Sequence, residues 1–404
     1  MLKNNPNILF ELLESFPEWE PSTPAETLEE SLKHITATQY QFVDPASIPC
    51  RDWLYRPHLI RKYTSVTVAP GGVGKSSLLI AEALALVSGK NLLGTEVERQ
   101  LRVWLWNGED PREELTRRIQ AAAIKYGISA EDIDDRLFID TGREQDLCTA
   151  VMGREGAVIV KPVVDRVVEQ MTRNKIDVLI IDPFVSSHQV IENDNPAMDL
   201  VAKEWGRVAD RTNAAIELVH HTRKQGPGVE ISAESSRGGK ALIDAARDVR
   251  VLNRMTKEQA EQADCENHRC YFSVISDKSN LAPPPDKADW YKLENIELGN
   301  GDHVGVVVPW KWPDPFANIT TNDLIAVQHA VDGRELRKDV QANDWVGHTV
   351  AEVLGLDGHS KRDKNTIKAL LKTWIDKGAL TVVMIRDGKS KGRPCIEVGQ
   401  WADQ

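Results

Sequence analysis

Apolar and polar positions alternate along the chain in a way that predicts an α/β core between residues 53 and 310. Short runs rich in Val, Ile and Leu are typical of strands covered on both faces. Between them, apolar residues recur every three or four positions, as in helices packed on one side. The predicted strands are Ser65–Val68, Arg102–Trp106, Leu137–Asp140, Val178–Asp182, Ala214–Val219, Asp248–Leu252 and Cys270–Ser276. The predicted helices include Lys75–Ser88, Arg112–Tyr126, Val158–Asn174 and Ala197–Thr212. This alternation predicts a mainly parallel sheet.

Both ends of the chain have a different pattern. Residues 1–50 hold six prolines and two Lys/Arg against eight Asp/Glu, which indicates a loosely structured acidic arm. Short helices are predicted at Ile8–Phe16 and at Thr27–Thr36, and the first is a candidate docking element. We therefore divide the chain into the arm 1–50, a core domain 51–315, a linker 316–342 and a C-terminal domain 343–404.

The C-terminal domain is predicted to be winged-helix-like, a small module of helices followed by a β-hairpin. Its predicted helices are Trp345–Leu354 and Lys364–Lys377, and its predicted hairpin strands are Leu380–Ile385 and Cys395–Val398. Ile367, Leu370, Leu371 and Trp374 recur at the spacing of a buried helical stripe. The preceding linker contains one short helical pattern near residues 322–331.

Composition narrows the class of protein. The 404 residues are 41% hydrophobic and 27% charged, which excludes collagen-like, coiled-coil and wholly disordered chains. No apolar stretch of about 18 residues predicts a membrane span, and Met1–Pro6 lacks the features of a secretory signal. The five cysteines do not suggest a disulfide framework. We therefore expect a cytoplasmic protein with no membrane partner.

The charge is polarised along the chain. The net charge of −11 argues against a protein that coats duplex DNA by bulk charge. However, residues 334–394 carry thirteen Lys/Arg against eight Asp/Glu. This basic tail leaves nucleic acid open as a partner.

A glycine-rich segment between the first core strand and helix matches the phosphate-binding loop pattern, with Ala69 in place of the first Gly. Backbone N–H groups of such a loop and the positive end of the following helix dipole bind phosphate oxygens. Lys75 is predicted to reach the β- and γ-phosphates and the Ser76 hydroxyl to bind Mg²⁺. The predicted nucleotide-binding residues are Pro70, Gly71, Gly72, Val73, Gly74, Lys75, Ser76 and Ser77. A chance glycine-rich turn is the alternative, and the strand before and helix after argue against it. The predicted ligands are ATP and Mg²⁺.

Two further acidic positions complete the predicted site. The apolar strand Val178–Asp182 ends in a carboxylate, the Walker B form, so Asp182 is predicted to hold Mg²⁺ through water. Pro183 follows, so no second acid lies beside it. The strand Arg102–Trp106 instead leads to Glu109 and Asp110. We predict that Glu109 polarises the attacking water and that Asp110 caps the next helix.

An ordered set of segments carries a resemblance to a known family. The segments are "APGGVGKSS", "WLWNGEDPREELTRRI", "DVLIIDPF", "LVHHTRK" and "SRGGKALIDAARDVRVL", spanning about residues 50–280. Together they resemble RecA-like ATPases, and among these the plasmid RepA-type hexameric replicative helicases with their phage and mobile-element relatives. Ala69 is a mild departure. The resemblance implies an ATP-hydrolysing hexameric ring that translocates 5′ to 3′ on single-stranded DNA.

The resemblance also implies roles for single residues. His220 or His221 would sense the γ-phosphate, and the choice between them stays open at this point, as does the reading that both are ordinary strand-end histidines. Arg247 resembles the arginine finger that a subunit donates to its neighbour's nucleotide, with Arg237 and Arg250 as rivals and surface ion pairs as the alternative. Lys278 resembles a second basic residue near that interface.

Contacts to DNA are predicted in two places. In RecA-like rings the loops after Walker B and after the sensor strand face the channel, here Ser186–Asn195 and Thr222–Arg237. Basic residues of the second loop suit contacts to a single-stranded backbone, and those of the C-terminal domain suit contacts to duplex DNA. The predicted DNA-binding residues are Arg223, Lys224, Arg237, Lys364, Lys368, Lys389, Lys391 and Arg393. Docking of a protein such as an initiator is the alternative for the C-terminal domain.

The main hypothesis is a replicative DNA helicase of a mobile element. Two alternatives share its nucleotide site. One is a DNA-binding regulator switched by ATP that uses the C-terminal domain on duplex DNA. The other is a defence or partner-loading ATPase whose acidic arm and tail bind proteins.

Overall fold

The computed structural model describes residues 37–222, 231–232, 239–282, 288–314, 316–317, 319–386 and 392–403. The chain divides into two units, Met1–Cys50 and Arg51–Gln404. The described part of the first unit is exposed and holds one 3-10 turn, Pro45–Ser47, preceded by Asp44, whose carboxylate accepts the Ala46 N–H. The helices predicted at Ile8–Phe16 and Thr27–Thr36 lie outside the described residues.

The second unit contains the strands and α-helices of the described residues. The strands are β1 Trp53–Tyr55, β2 Leu59–Ile60, β3 Thr64–Ala69, β4 Val103–Asn107, β5 Leu137–Thr141, β6 Ala150–Gly153, β7 Gly156–Ile159, β8 Val178–Asp182, β9 Ala215–His221, β10 Asp248–Arg254, β11 Tyr271–Ser279, β12 Asp289–Glu297, β13 His303–Trp310, β14 Leu336–Arg337, β15 Leu380–Arg386 and β16 Gly392–Val398. The helices are α1 Lys75–Ser88, α2 Arg112–Tyr126, α3 Ala130–Ile133, α4 Lys161–Arg173, α5 Asn195–Thr212, α6 Lys240–Ala245, α7 Lys257–Ala263, α8 Thr321–Val331, α9 Val346–Leu354 and α10 Lys361–Asp376.

A nine-stranded central sheet has the order β13-β12-β11-β10-β3-β9-β8-β4-β5. The six strands from β10 to β5 are parallel, and β11, β12 and β13 add to them in antiparallel pairs. The predicted α/β fold with a mainly parallel sheet is confirmed. The carboxyl ends of β3, β9, β8 and β4 therefore meet at one edge of the sheet, which we call the loop edge; the other is the amino edge.

Helices cover both faces of this sheet. One core contains Leu84 of α1 and Ile119 of α2, and the other contains Val164 of α4 and Trp205 of α5. Strands β3 and β8 are buried at every position, and the sequence of β8 is accordingly an apolar run that ends at Asp182. Trp104 and Trp106 of β4 both lie in the second core, as their spacing of two predicts.

The helices begin and end close to their predicted bounds where the chain carries clear cap residues. Helix α1 begins after Gly74 and ends before Gly89, and both glycines have positive φ. Helix α5 begins after Asp194, whose carboxylate accepts the Ala197 N–H at 3.1 Å, and it ends before Asn213 in the left-handed region. A carboxylate at the start of a helix accepts an unpaired backbone N–H group, and glycine or asparagine readily adopts the left-handed conformation that ends a helix.

Strands β12 and β13 were not predicted. Alternate residues of β12 such as Tyr291 turn to the first core, whereas Trp290, Lys292 and Glu294 do not enter it. An antiparallel strand near the sheet edge mixes apolar and polar positions, so its apolar signal is weaker than that of a central parallel strand. The strands nevertheless matter to the site, because Val306 and Val307 pack beneath α1 and α2 in that core.

The C-terminal part of the second unit has its own core. Elements follow the order α8, β14, α9, α10, β15, β16, with a three-stranded sheet ordered β14-β16-β15. Trp345, Leu370 and Trp374 lie in this core together with Val327 and Val331 of α8, the helix that the sequence placed in the linker.

In the described part of the chain, no helix has the length and apolar character needed to cross a bilayer.

Candidate nucleotide-binding site

The predicted phosphate loop joins β3 to α1 at the loop edge. Gly72 has φ +69° and Gly74 has φ +112°, a backbone region that L side chains rarely adopt. At Gly74 a Cβ would also lie 3.0 Å from the Phe272 ring. A Cβ at Gly71 would meet nothing within 4 Å, so the space beside the loop is open there. These glycines therefore give the loop both its bend and its close contact with β11.

Lys75 and Ser76 converge on Asp182. The Lys75 Nζ lies 2.7 Å from Asp182 Oδ1, and the Ser76 hydroxyl donates to Oδ2 at 2.7 Å. Lys75 and Asp182 are both buried. They meet across β9, which lies between β3, the strand before the loop, and β8. A hydroxyl and a carboxylate side by side are the hard oxygen ligands that Mg²⁺ prefers, so the residues present fit this ion. Bound there, Mg²⁺ would neutralise charge on the nucleotide's phosphate oxygens.

Glu109 lies just beyond the carboxyl end of β4. The neighbouring Gly108 N–H donates to the Asp182 carbonyl at 2.9 Å, which holds this turn against the Walker B strand. The Asn107 side chain accepts the N–H groups of Glu109 and Asp110 at 3.0 and 2.7 Å. The Glu109 side chain is 58% exposed. It is therefore open to solvent at the edge where Lys75 and Asp182 lie.

The prediction that Asp110 caps the following helix is wrong. The N-cap of α2 is Pro111, without a side-chain capping bond, and Asp110 instead forms an ion pair with Arg118 at 2.9 Å. Asn107 ties down the turn that Asp110 was expected to close. Asn107 was not among the predicted site residues, although an amide at a strand end before Gly-Glu-Asp is the type of residue that closes such turns.

The structure separates the two histidines at the end of β9. His221 Nε2 lies 3.6 Å from Glu109 Oε1. Burial and the charge of Lys75 lower the pKa of His221, while Glu109 and Asp182 oppose them. His220 is buried on the other face, where its ring meets Phe184 edge-on. Of the two, His221 is the residue beside the phosphate loop and the two acids.

Arg247 lies far from this loop. It precedes β10, and its N–H donates to the Thr64 carbonyl at the start of β3, whereas the loop follows the last residue of that strand, Ala69. Arg247 therefore lies at the amino edge, where its guanidinium stacks over Tyr63 at 6.0 Å. Lys278 donates to the carbonyls of residues 243 and 244 at the end of α6, so it fixes the chain just before Arg247.

Arg250 is not available to a neighbouring molecule. It is buried and forms two hydrogen bonds to the Glu82 carboxylate, at 2.5 and 2.7 Å. Its Nε donates to Thr67 at 2.7 Å. This contact joins the phosphate-loop helix α1 to β3 and β10 from inside the molecule. The third candidate for the arginine finger, Arg237, lies outside the described residues.

A second buried polar group adjoins Arg250. The His58 ring lies between two carboxylates, with Nε2 2.7 Å from Glu217 and Nδ1 2.6 Å from Asp248. Burial and Arg250 lower the pKa of His58, but the two carboxylates outweigh them and raise it to about 9. The same contacts lower the pKa of Glu217 against the effect of burial. His58 is therefore a buried imidazolium at neutral pH.

The predicted DNA contacts are only partly described. Arg223, Lys224, Arg237, Lys389 and Lys391 lie outside the described residues. Lys368 and Arg393 are exposed, and Lys364 is half-buried. In the first predicted channel loop, Ser186–Asn195, residues 187, 188 and 190 are buried. Burial, together with the neighbouring His220, lowers the pKa of His188 to about 4.

Comparison with known proteins agrees with this site. Residues 29–227 match the AAA_25 family model, an AAA domain, and this range contains the phosphate loop, Glu109, Asp182 and the two histidines. This range, about half of the chain, is similar to an AAA domain. A similar solved structure is a KaiC-like protein, PH0186, from the hyperthermophilic archaeon Pyrococcus horikoshii OT3. It shares 13% identity over 64% of this chain and 94% of that chain, with a TM-score of 0.41.

Proposed function

We propose that this protein is an ATP-driven motor that forms a ring and translocates on single-stranded DNA. More specifically, we propose a replicative DNA helicase of a plasmid, phage or other mobile element, working 5′ to 3′ in the cytoplasm. Ring formation is supported by the position of Arg247, which lies at the amino edge, away from this chain's own phosphate loop.

The loop edge supports ATP hydrolysis in each subunit. Lys75, Ser76 and Asp182 are in direct contact, and Glu109 and His221 lie beside them at 3.6 Å from one another. Lys75 would bind the terminal phosphates and Glu109 would accept a proton from the attacking water. Because the pKa of His221 is lowered, its neutral ring can donate one hydrogen bond and accept another, as a sensor of the γ-phosphate requires.

The position of Arg247 supports catalysis between subunits. Strand β3 has six residues, so at about 3.3 Å per residue its two ends are about 15–20 Å apart. Arg247 adjoins one end and the phosphate loop follows the other. A guanidinium at the amino edge can act on ATP only when that edge faces the loop edge of another copy. Repeating this head-to-tail contact gives a ring when the rotation between copies closes and a helical filament when it does not, and we propose a closed hexamer.

A mixing experiment tests this arrangement. Lys75→Ala removes the nucleotide site but keeps the finger, and Arg247→Ala does the reverse. Each variant alone should hydrolyse ATP at a small fraction of the wild-type rate. Mixed rings should recover activity, because an intact site then faces an intact Arg247. Mixtures as inactive as the separate variants would contradict catalysis between subunits, and a fully active Arg247→Ala protein would remove the finger.

DNA dependence tests the motor. Single-stranded DNA should raise the rate of ATP hydrolysis several-fold, and the protein should unwind a duplex that carries a 5′ single-stranded tail. A rate that responds to neither single strands nor duplex would instead support an ATPase that loads or recruits protein partners.

The C-terminal elements favour a second candidate, a DNA-binding regulator switched by ATP. Two helices followed by a hairpin, in the order α9, α10, β15, β16, are the arrangement of a winged helix, which we propose for this module. However, Lys361 and Arg362 at the start of α10 form ion pairs with Glu261 and Asp264 around α7. A winged helix that places this end of α10 in a DNA groove would have to break them. Tight sequence-dependent duplex binding without unwinding would favour the regulator.

A further inference from the structure

Arg254 contacts the phosphate loop from the side opposite Asp182. Strand β10 runs parallel to β3, with Val251 opposite Val68, so Arg254 at its end lies beside the loop that follows β3. Its Nη2 donates to the Gly72 carbonyl at 2.6 Å. The side chain is otherwise exposed, and the sequence analysis did not single it out.

This hydrogen bond fixes the orientation of one peptide plane. The Gly72 carbonyl and the Val73 N–H belong to the same peptide group, and in a planar trans peptide they point in opposite directions. With the carbonyl directed at Arg254, the Val73 N–H points away from it. Gly72 adopts φ +69°, where a peptide plane has no neighbouring regular structure to hold it.

Arg254 is itself held in place. Arg250, four residues earlier on β10, is bonded to Thr67 of β3 and to Glu82 of α1. These contacts tie β10 to the strand before the phosphate loop and to the helix after it. The distance from the Arg254 backbone to Gly72 is therefore set by buried groups rather than by the loop.

We propose that Arg254 is a positioning residue that orients the Val73 N–H for phosphate binding. The proposal rests on the nucleotide site described above and adds a residue to it. Preorganised N–H donors bind an anion without first having to reorient, so the bond to Gly72 strengthens nucleotide binding. A hydrogen bond made by a charged donor, weakened here by exposure, is consistent with an effect of about tenfold on affinity.

The test compares three variants. Arg254→Ala removes the bond, Arg254→Lys keeps a cation that can reach one carbonyl, and Arg269→Ala removes an exposed arginine elsewhere as the control. MgADP affinity is measured by calorimetry, and KM and kcat for MgATP by steady-state kinetics. Arg254→Ala should weaken MgADP binding and raise KM about tenfold, with kcat changed less than about twofold. The Lys variant should fall between it and wild type, and Arg269→Ala should match wild type.

Other outcomes overturn the proposal. Unchanged MgADP affinity and KM in Arg254→Ala would show that the loop needs no such support. A collapse of kcat at unchanged KM would make Arg254 a residue that contacts the reacting phosphate, and an equal loss in Arg269→Ala would point to general charge. Lys75→Ala distinguishes a failure of the Arg254 proposal from a failure of the nucleotide site. If Lys75→Ala binds MgADP as well as wild type does, the nucleotide site itself is wrong.

Discussion

Because His58 is a buried imidazolium, the free energy of unfolding should depend on pH. The ring is bonded to Glu217 on one side and Asp248 on the other, and Arg250 is the cation that faces the group. Because these contacts stabilise the charged ring, the folded protein must lose stability when the ring is deprotonated. The perturbation is a rise in pH from 6.5 to 9.

The magnitude follows from the pKa. The pKa of His58 is about 9 in the folded chain and 6.5 for an unperturbed histidine. Each pH unit between these values is worth about 1.4 kcal/mol, so the charged ring contributes about 3 kcal/mol to the free energy of unfolding. The folded-state pKa is the higher one, so this stability is fully present below pH 6.5 and is lost as the pH rises through 9. Between pH 7 and pH 9 the free energy of unfolding should fall by about 2 kcal/mol.

The assay is urea unfolding of the wild-type protein at several pH values from 6.5 to 9, repeated with His58→Gln. The variant should be less stable throughout, because Asp248 loses its bond to the charged ring and Glu217 keeps only the more distant Arg250, at 3.9 Å. Its stability should also vary less over this pH range. Where it does not fold, NMR titration of the histidine rings in the wild-type protein gives the same information. One ring should titrate near pH 9.

Two results would refute this reasoning. One is a free energy of unfolding that falls equally in wild type and His58→Gln. The other is a wild-type spectrum in which every histidine titrates below about pH 7, which would mean that the two carboxylates do not hold a proton on His58.

Three further substitutions follow from the geometry. Glu109→Gln should lower kcat for ATP hydrolysis about a hundredfold or more and leave MgADP affinity nearly unchanged; an active variant would assign the base elsewhere. Gly74→Ala should weaken MgADP binding in calorimetry, because φ +112° is strained for alanine and the new methyl would meet Phe272 at 3.0 Å; wild-type affinity would contradict this. Arg250→Met should lower the free energy of urea unfolding by about 3–5 kcal/mol, because Glu82 loses its partner in the interior. Adding Glu82→Gln should restore part of that loss, and no recovery would argue against an uncompensated charge as the cause.

The sequence was sufficient for the part of the fold that carries the site. Helices α1 and α2 begin and end where predicted, because a glycine-rich loop precedes the first and glycines follow both. Strand β8 also has its predicted bounds, since a buried parallel strand is a continuous apolar run ending at Asp182. That Asp182 lies at the phosphate loop was also foreseeable, because loops after parallel strands meet at one edge.

Contacts across the sheet could not be predicted. His220 and His221 are adjacent in sequence, and only the register of β9 shows which one faces Lys75. Arg250 was a rival candidate for the arginine finger and Arg254 had no predicted role, yet Arg250 is buried against Glu82 and Arg254 bonds the phosphate loop. Such partners are 168 and 182 residues apart in the chain, and no local pattern records them.

The most direct test of the account is steady-state ATP hydrolysis by the purified protein with Mg²⁺, with and without single-stranded DNA, beside Lys75→Ala. Single strands should stimulate hydrolysis by the wild-type protein several-fold, and Lys75→Ala should abolish it. Equal hydrolysis by wild type and Lys75→Ala would contradict the site at the end of β3, and hydrolysis indifferent to single strands would contradict the motor.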